Sequence, residues 1–208
     1  GHPGDPEYGC GGTIARYSDL GHEVVLLYLN NGAWPANKGG APAATRMAEA
    51  RKACEILKAR PALVGQVNGN AVVDPAHYDA YQKIMEAEWP DVVFTQWPID
   101  NHPDHRATWA LTYNAWLRME KRFALYYYEV SNGEDTMQFS PNHFVDITAT
   151  EPRKRSACYA HASQTPDKFY ELQDQVARFR GIERGCKRAE AYIHQVQSPY
   201  GELPAVPS

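Results

Sequence analysis

Short apolar segments alternate with longer amphipathic segments along this chain of 208 residues. Residues 23–29 form a nearly continuous apolar run, which is typical of a strand that is buried on both faces. Apolar residues then recur at the spacing of one helix face, at Met47, Ala50, Cys54 and Leu57. Strands that alternate with helices are joined by crossover connections, which favour a mostly parallel sheet. The pattern predicts a three-layer α/β/α domain.

The same alternation continues through the rest of the chain. Further strands are predicted at residues 62–67, 91–97, 123–130 and 144–148. Asp74-Pro75 and Thr165-Pro166 predict helix starts, because Asp or Thr can cap free amides and proline fits the first helical turn. Another helix is predicted from about residue 105 to residue 121. Residues 1–208 are interpreted as a single domain whose last segment, about 198–208, contains three prolines and is predicted to be a loose tail.

Composition and charge exclude several classes of protein. Hydrophobic residues make up 43% of the chain and charged residues 22%, which argues against disorder and fibrous repeats. The net charge of −4 argues against a nucleic-acid-binding surface. No apolar run approaches the roughly 20 residues that a membrane span needs. Four widely separated cysteines exclude a cysteine zinc knuckle, and the compartment, cytoplasmic or exported, stays open because a removed signal peptide would leave no trace here.

Two short segments combine the residue types that bind transition metals. One is His-Pro-Gly-Asp-Pro-Glu at residues 2–7, and the other is His-Pro-Asp-His at residues 102–105, directly after a predicted strand. Two imidazoles with a carboxylate suit zinc or a neighbouring divalent metal, and three protein ligands leave a fourth position for water. A single segment of this kind often marks only a helix start or a surface loop. Two such segments together favour a metal site, since one of them follows the end of a predicted strand, where α/β sheets bind their ligands.

A glycine-rich stretch at residues 9–12 raises the alternative of a nucleotide-dependent oxidoreductase. The dinucleotide fingerprint needs a third glycine where this chain has Ile14, and an acidic residue where it has Asn30. The fingerprint is therefore incomplete. The glycines are better explained by close packing of a helix against the sheet or the loop of the first histidine segment.

The two histidine segments, in this order, resemble the signature motifs of the PIG-L/LmbE-like N-acetylglucosaminyl deacetylases. The first motif runs from His2 to Gly9 and continues with Gly11-Gly12-Thr13, and the second is His102-Pro103-Asp104-His105. Further matches are Arg46-x-x-Glu49, the strand from Phe144 to Thr148, and His161-x-Ser163-Gln164. The resemblance extends from residue 2 to about residue 190.

This resemblance implies a Rossmann-like fold and a small-molecule substrate that contains a sugar amide. It implies a Zn²⁺ site, which another divalent transition metal could also fill, with the ligands His2, Asp5 and His105. It further implies that His102 is the electrostatic or general-acid histidine, that Asp104 orients or charges an imidazole, and that Arg46 lines the substrate pocket. A homo-oligomer is compatible with the same resemblance.

One position departs from the family pattern. The family usually has two consecutive acids after the first proline, and the first of them serves as general base, whereas this chain has Gly4 there. Candidate substitutes for the base are Asp104, Glu7 and His102. If the site lacks only its base, Gly4→Asp is expected to raise kcat, whereas no gain would indicate another base or another reaction. The expected function is zinc-dependent removal of an acyl group, first of all acetyl, from an N-acetylated amino sugar or similar amide. The alternative is a metal-containing carbohydrate-binding relative that is weakly active or non-catalytic.

Overall fold

Helices and strands alternate in the computed structural model, which describes residues 1–34, 38–201 and 203. The strands are β1 (Val25–Asn30), β2 (Arg60–Gln66), β3 (Val92–Gln96), β4 (Ala124–Tyr128), β5 (His143–Asp146) and β6 (Ala189–His194). The helices are α1 (Asp5–Asp19), α2 (Ala43–Leu57), α3 (Pro75–Glu88), α4 (Pro103–Arg118), α5 (Glu151–Tyr159) and α6 (Pro166–Arg184). The five predicted strands are therefore confirmed, as are the helix starts at Pro75 and Pro166.

The strands form two sheets with helices on both faces. β1 pairs with β2 in parallel, and β3 pairs with β4 in parallel. Alternate residues of β4 enter different cores, because successive side chains of a strand point to opposite faces. Tyr126 and Tyr128 pack with α1, α2, α5 and α6, whereas Leu125 and Tyr127 pack with α3 and α4. The predicted three-layer α/β/α class is confirmed.

Strand β6 escapes prediction and runs against the parallel pattern. It lies between β4 and β5 and is antiparallel to both. Its apolar run is interrupted by Glu190, which is only 4% exposed. The Glu190 carboxylate accepts hydrogen bonds from the backbone of Gly12 and Thr13 and from Lys154 Nζ, at 2.7 Å from the latter. A charged residue interrupts the apolar pattern by which a buried strand is predicted. Such a strand is recognised only when the ion-pair partner of that residue is known.

The expected helix caps are confirmed only in part. Asp74 caps α3 as predicted, accepting a hydrogen bond from the His77 backbone, whereas the Thr165 side chain makes no capping hydrogen bond to α6. At the start of the predicted tail, Ser198 is buried and its hydroxyl oxygen accepts a hydrogen bond from the Leu125 amide at 3.2 Å, and the largely exposed Tyr200 ring stacks on His194 at 4.4 Å between centroids. Residues 202 and 204–208 of that tail lie outside the described residues. No helix in the described part of the chain is long and apolar enough to cross a membrane.

The buried pair Lys154–Glu190 predicts a large dependence of stability on Lys154. Burial opposes the charge of Lys154, but the neighbouring Glu190 carboxylate holds the pKa of Lys154 above its ordinary value, so Lys154 stays charged. Lys154→Met should lower the free energy of unfolding by about 3–5 kcal/mol, because it leaves a buried carboxylate without its cation. Chemical denaturation measures this loss.

The matched control is Lys168→Met, which breaks an ion pair with Glu134 whose two side chains are 64% and 54% exposed. Exposed pairs contribute at most about 1 kcal/mol, so this variant should unfold nearly like the wild type. Equal losses in the two variants would contradict the assigned role of Lys154.

Candidate metal centre

The two histidine segments meet at the carboxyl ends of β1 and β3. The carbonyl oxygen of Gly1 accepts hydrogen bonds from the amides of Leu29 and Asn30 at the end of β1. The second segment follows β3 and opens α4, where His102 is the capping residue. The three histidine rings of the segments lie 4.6–5.3 Å apart between centroids, and their ligand nitrogens lie within 4.8 Å of one another: His2, His102 and His105. This cluster fits a metal site.

The carboxylate of Asp5 lies at the centre of this cluster. Its Oδ2 atom is 3.1 Å from His2 Nδ1 and 3.2 Å from His105 Nε2. Two atoms that bind one tetrahedral zinc ion at about 2.0–2.1 Å are separated by roughly 3.3 Å. Asp5 Oδ2 therefore has, to each of these two nitrogens, the spacing of two ligands on a single ion.

The outer nitrogen of each of these imidazoles contacts a second carboxylate. His2 Nε2 lies 3.0 Å from Asp104 Oδ2, and His105 Nδ1 lies 3.1 Å from Asp100 Oδ1. The side chains of both acids are fully buried. A carboxylate behind a metal-binding histidine fixes the ring orientation and makes the ligand nitrogen more basic. Asp104 thus orients His2, and Asp100 orients His105.

The charges of the cluster favour a cation at its centre. Burial alone would raise the pKa of Asp5, but His105 and His2 hold that pKa well below its ordinary value. For His105, burial lowers the pKa, yet the carboxylates of Asp5 and Asp100 raise it to about 9. The acids therefore keep positive charge on this imidazole. Because metals bind deprotonated imidazoles, a divalent ion would take over that charge and release the proton.

His102 has a different electrostatic environment. Burial, together with the neighbouring His2 and His105, lowers its pKa to about 4, so the ring is neutral at pH 7. Its Nδ1 atom accepts a hydrogen bond from the Asp104 amide at 3.2 Å. The proton of the neutral ring therefore lies on Nε2, which makes this atom a hydrogen-bond donor.

Arg46 reaches the site from α2. Its guanidinium donates from Nη2 to the carbonyl oxygen of Pro3 at 2.8 Å, and the residue is only 3% exposed. Its Nε and Nη1 atoms have no hydrogen-bond partner among the described residues. Buried donors without partners cost free energy, so this guanidinium suits the oxygen atoms of a ligand.

A comparison with known protein families finds a match over the first half of the chain. The family model for PIG-L, described as GlcNAc-PI de-N-acetylase, matches residues 1–116, which include both histidine segments. The chain belongs to the PIG-L family.

Individual relatives extend this family assignment over nearly the whole chain. The chain is 26% identical to a diacetylchitobiose deacetylase of Thermococcus kodakarensis, over 94% of this chain and 79% of that protein. A conserved protein of Thermus thermophilus has a TM-score of 0.84 and 25% identity, covering 99% of this chain and 96% of its own. GalB, the 4-carboxy-2-hydroxymuconate hydratase of Pseudomonas putida, has a TM-score of 0.82 and 21% identity, covering 98% and 96%. The last likeness shows the fold alone, and one fold can support different reactions.

Gly4 lies in a backbone turn that explains why this PIG-L chain tolerates glycine there. Its φ angle is +114°, a backbone conformation that residues other than glycine rarely adopt. A Cβ atom at this position would lie 3.6 Å from the Tyr8 ring and 3.9 Å from His161 Cδ2, so the space is open but the backbone is strained. Gly4→Asp would thus strain the backbone as well as restore the acid. The kcat of this variant would therefore combine the two effects.

None of the three proposed substitutes for the base has the position expected of a free proton acceptor. Asp104 Oδ2 is hydrogen-bonded to His2 and to the backbone amide of Gly69, and His102 presents a protonated Nε2. Glu7 is fully buried and accepts hydrogen bonds from the Gly4 amide and the Tyr28 hydroxyl. Its Oε1 atom also lies 2.9 Å from Nε2 of a further buried histidine, His161.

Sequence reasoning missed several residues that position the ligands. Asp100 orients His105, and Gln96 donates a hydrogen bond from Nε2 to Asp5 Oδ2 at 2.8 Å. Asn30 donates to Asp104 Oδ2 at 3.1 Å. Their common signal is their place: Asn30 and Gln96 end β1 and β3, and Asp100 follows β3 by four residues. Polar residues at strand ends near a metal-binding motif are therefore candidates for residues that position the ligands.

The carboxylate of Asp100 predicts a measurable effect on metal binding. Asp100→Asn should weaken zinc affinity about 10–100-fold, because the amide no longer fixes and polarises His105 as a carboxylate does. Competition with a zinc-binding dye measures the affinity.

Asp135→Asn is the control, since Asp135 acts on His105 through its charge and has its side-chain hydrogen bond with Ser131. If both variants lose affinity equally, net charge and not the orientation of His105 explains the effect.

Proposed function

We propose that this chain is a zinc-dependent hydrolase that removes an acyl group, first of all acetyl, from an N-acetylated amino sugar or a similar small amide. The observation that carries the proposal is the ligand spacing of Asp5 Oδ2 from His2 Nδ1 and His105 Nε2. Membership of a de-N-acetylase family supports the reaction class.

The proposed ligands are His2, Asp5 and His105. The orienting carboxylates support this set, since each imidazole contacts one of them through the nitrogen that faces away from Asp5. The cluster His2, His102 and His105 is the other possible set. When bound by three protein ligands, zinc supplies polarisation of a carbonyl oxygen and activation of water.

His102 is proposed to stabilise the transition state. Its Nε2–H group can donate to the amide oxygen as negative charge develops on that atom, and Asp104 holds the ring through its backbone amide. One such donor contributes about 2.7–4 kcal/mol, or a factor of 10²–10³ in kcat. Because the ring is neutral at pH 7, His102 acts as a hydrogen-bond donor and not as a general acid.

Arg46 is proposed to bind the substrate. Two of its guanidinium nitrogens lack hydrogen-bond partners within the described residues, although Nη1 lies 4.0 Å from Glu49 Oε2, and the third nitrogen donates to the Pro3 carbonyl oxygen. Hydroxyl or carbonyl oxygens of a sugar amide would satisfy these donors. Arg46 would therefore orient the amide relative to the metal ligands.

The alternative function is a metal-containing relative with little or no turnover. Gly4 cannot accept a proton, and the carboxylates of Glu7 and Asp104 are held by hydrogen bonds. Loss of general-base assistance lowers a rate by about 10²–10⁴-fold. Acetate release from a panel of N-acetylated amino sugars, with and without a chelator, decides between the two: zinc binding without release supports the alternative.

Removal of one ligand tests the metal and the reaction together. His105→Ala should weaken zinc binding by more than about tenfold, because even removal of a group behind a ligand costs that much. Acetate release should be lost with the metal. Zinc content by elemental analysis and acetate by a coupled assay measure the two effects.

His22→Ala is the matched control, since His22 is exposed and contacts the Tyr17 ring away from the cluster. Unchanged acetate release in His105→Ala would refute the proposed site.

Substitution of His102 separates the two possible ligand sets. His102→Ala should keep the zinc content of the wild type and lower kcat by about 10²–10³-fold, because it removes a donor to the developing oxyanion. The melting temperature monitors the lost cap of α4. Loss of zinc in this variant would instead make His102 a ligand in place of Asp5.

A further inference from the structure

The loop that follows β1 brings an indole ring close to the metal centre. Asn30, at the end of β1, donates to Asp104 Oδ2 at 3.1 Å and accepts a hydrogen bond from the Gly32 amide at 2.8 Å. Two residues further along the loop, the Trp34 ring contacts Gly69, where a Cβ atom would lie only 2.7 Å from Trp34 Cζ3. The Gly69 amide donates to Asp104 Oδ2 at 2.7 Å. One residue therefore separates the indole ring from the Asp104 carboxylate.

The Trp34 ring is held in place and yet accessible to a ligand. A side chain at position 69 would displace the ring, so the glycine there allows the indole to pack directly on the backbone. Trp34 is nevertheless 42% exposed. The Nζ atom of Lys38 lies 5.1 Å from the ring centroid, but Lys38 is itself exposed, and such contacts at exposed positions are weak. A ligand can therefore take the place of the lysine.

Two buried polar groups without hydrogen-bond partners border the loop that carries Trp34. One is the Arg46 guanidinium, which lies against Gly32: a Cβ atom on this glycine would be 2.6 Å from Arg46 Nη2. The other is the side chain of Asn68, the neighbour of Gly69. Asn68 is 5% exposed, and its Oδ1 atom has no hydrogen-bond partner within the described residues. The loop thus has an unpaired donor and an unpaired acceptor beside an exposed aromatic ring.

This combination matches the chemistry of a sugar ring. Sugar hydroxyls both donate and accept hydrogen bonds, so they can satisfy a guanidinium and an amide oxygen together. The C–H groups of a pyranose form an apolar face that packs against a flat aromatic side chain. Small-molecule sites typically combine aromatic surface with a few such polar groups. An open-chain amide of similar size has no comparable face.

We propose that Trp34 is a specificity-determining residue, which selects substrates with a pyranose ring by packing against the apolar face of that ring. This inference rests on the proposed hydrolase function, which places the acetamido group of the sugar at the metal ligands. The indole contacts the sugar ring and not the reacting amide, so it stabilises the bound substrate and the transition state equally. Such uniform binding lowers KM and leaves kcat unchanged.

Substitution of Trp34 tests the proposal with two amides that differ in the ring. Trp34→Ala should raise KM for N-acetylglucosamine about tenfold and leave kcat unchanged. The same variant should hydrolyse N-acetylethanolamine, which has no ring, with the kcat/KM of the wild type. Trp34→Phe retains a flat ring and should keep most of the affinity for the sugar. Equal losses of kcat/KM for the two amides in Trp34→Ala would overturn the proposal.

The matched control is Trp89→Ala. Trp89 is 60% exposed and lies at the end of α3, before β3 begins, where the Arg122 guanidinium stacks on it at 3.9 Å. It therefore lies at the amino end of β3, whereas the metal centre lies at the carboxyl end. Trp89→Ala should leave both substrates unaffected, and a rise of KM for N-acetylglucosamine equal to that of Trp34→Ala would contradict the role of Trp34.

A binding measurement separates this inference from the proposed hydrolase function. N-acetylglucosamine is titrated against the zinc-free protein in the presence of a chelator, and ligand NMR gives the Kd. Trp34→Ala should raise this Kd about tenfold, and Trp89→Ala should not change it. If this shift is found in a chain that releases no acetate, the hydrolase function fails and the role of Trp34 in sugar binding stands. Acetate release with no binding difference between Trp34→Ala and the wild type would overturn the inference alone.

Discussion

The site depends on one carboxylate oxygen, Oδ2 of Asp5, and the contacts that converge on it. This atom accepts hydrogen bonds from the His2 amide at 2.7 Å and from Gln96 at 2.8 Å, and it contacts the rings of His2 and His105. It therefore ties the start of α1 to the end of β3 and the start of α4. A buried carboxylate is stable only with such donors or with a cation. The same atom organises the histidine cluster and has the spacing of a metal ligand relative to each of two imidazole nitrogens.

The carboxylate proposed to bind the metal, Asp5, is not the carboxylate that the sequence offers as a proton acceptor, Glu7. The turn at Gly4 sends Asp5 toward the histidines and Glu7 toward the Gly4 amide, Tyr28 and His161. Glu7 thereby stabilises the start of α1, and both of its carboxylate oxygens are engaged in hydrogen bonds. A metal site at the histidine cluster would thus be compatible with fast, slow or no hydrolysis. GalB, a hydratase, has the same fold, and the fold alone therefore does not determine the reaction.

The sequence predicted what depends on local pattern and missed what depends on distant pairing. Strands β1 to β5 follow from apolar runs, and the convergence of His2 and His105 follows from two motifs at strand ends. β6 was missed because Glu190 breaks its pattern, and its partner Lys154 lies 36 residues away in the sequence. Asp100 and Gln96 were missed because a hydrogen bond to a ligand has no periodic signal. The strained φ of Gly4 was missed because glycine is compatible with many conformations.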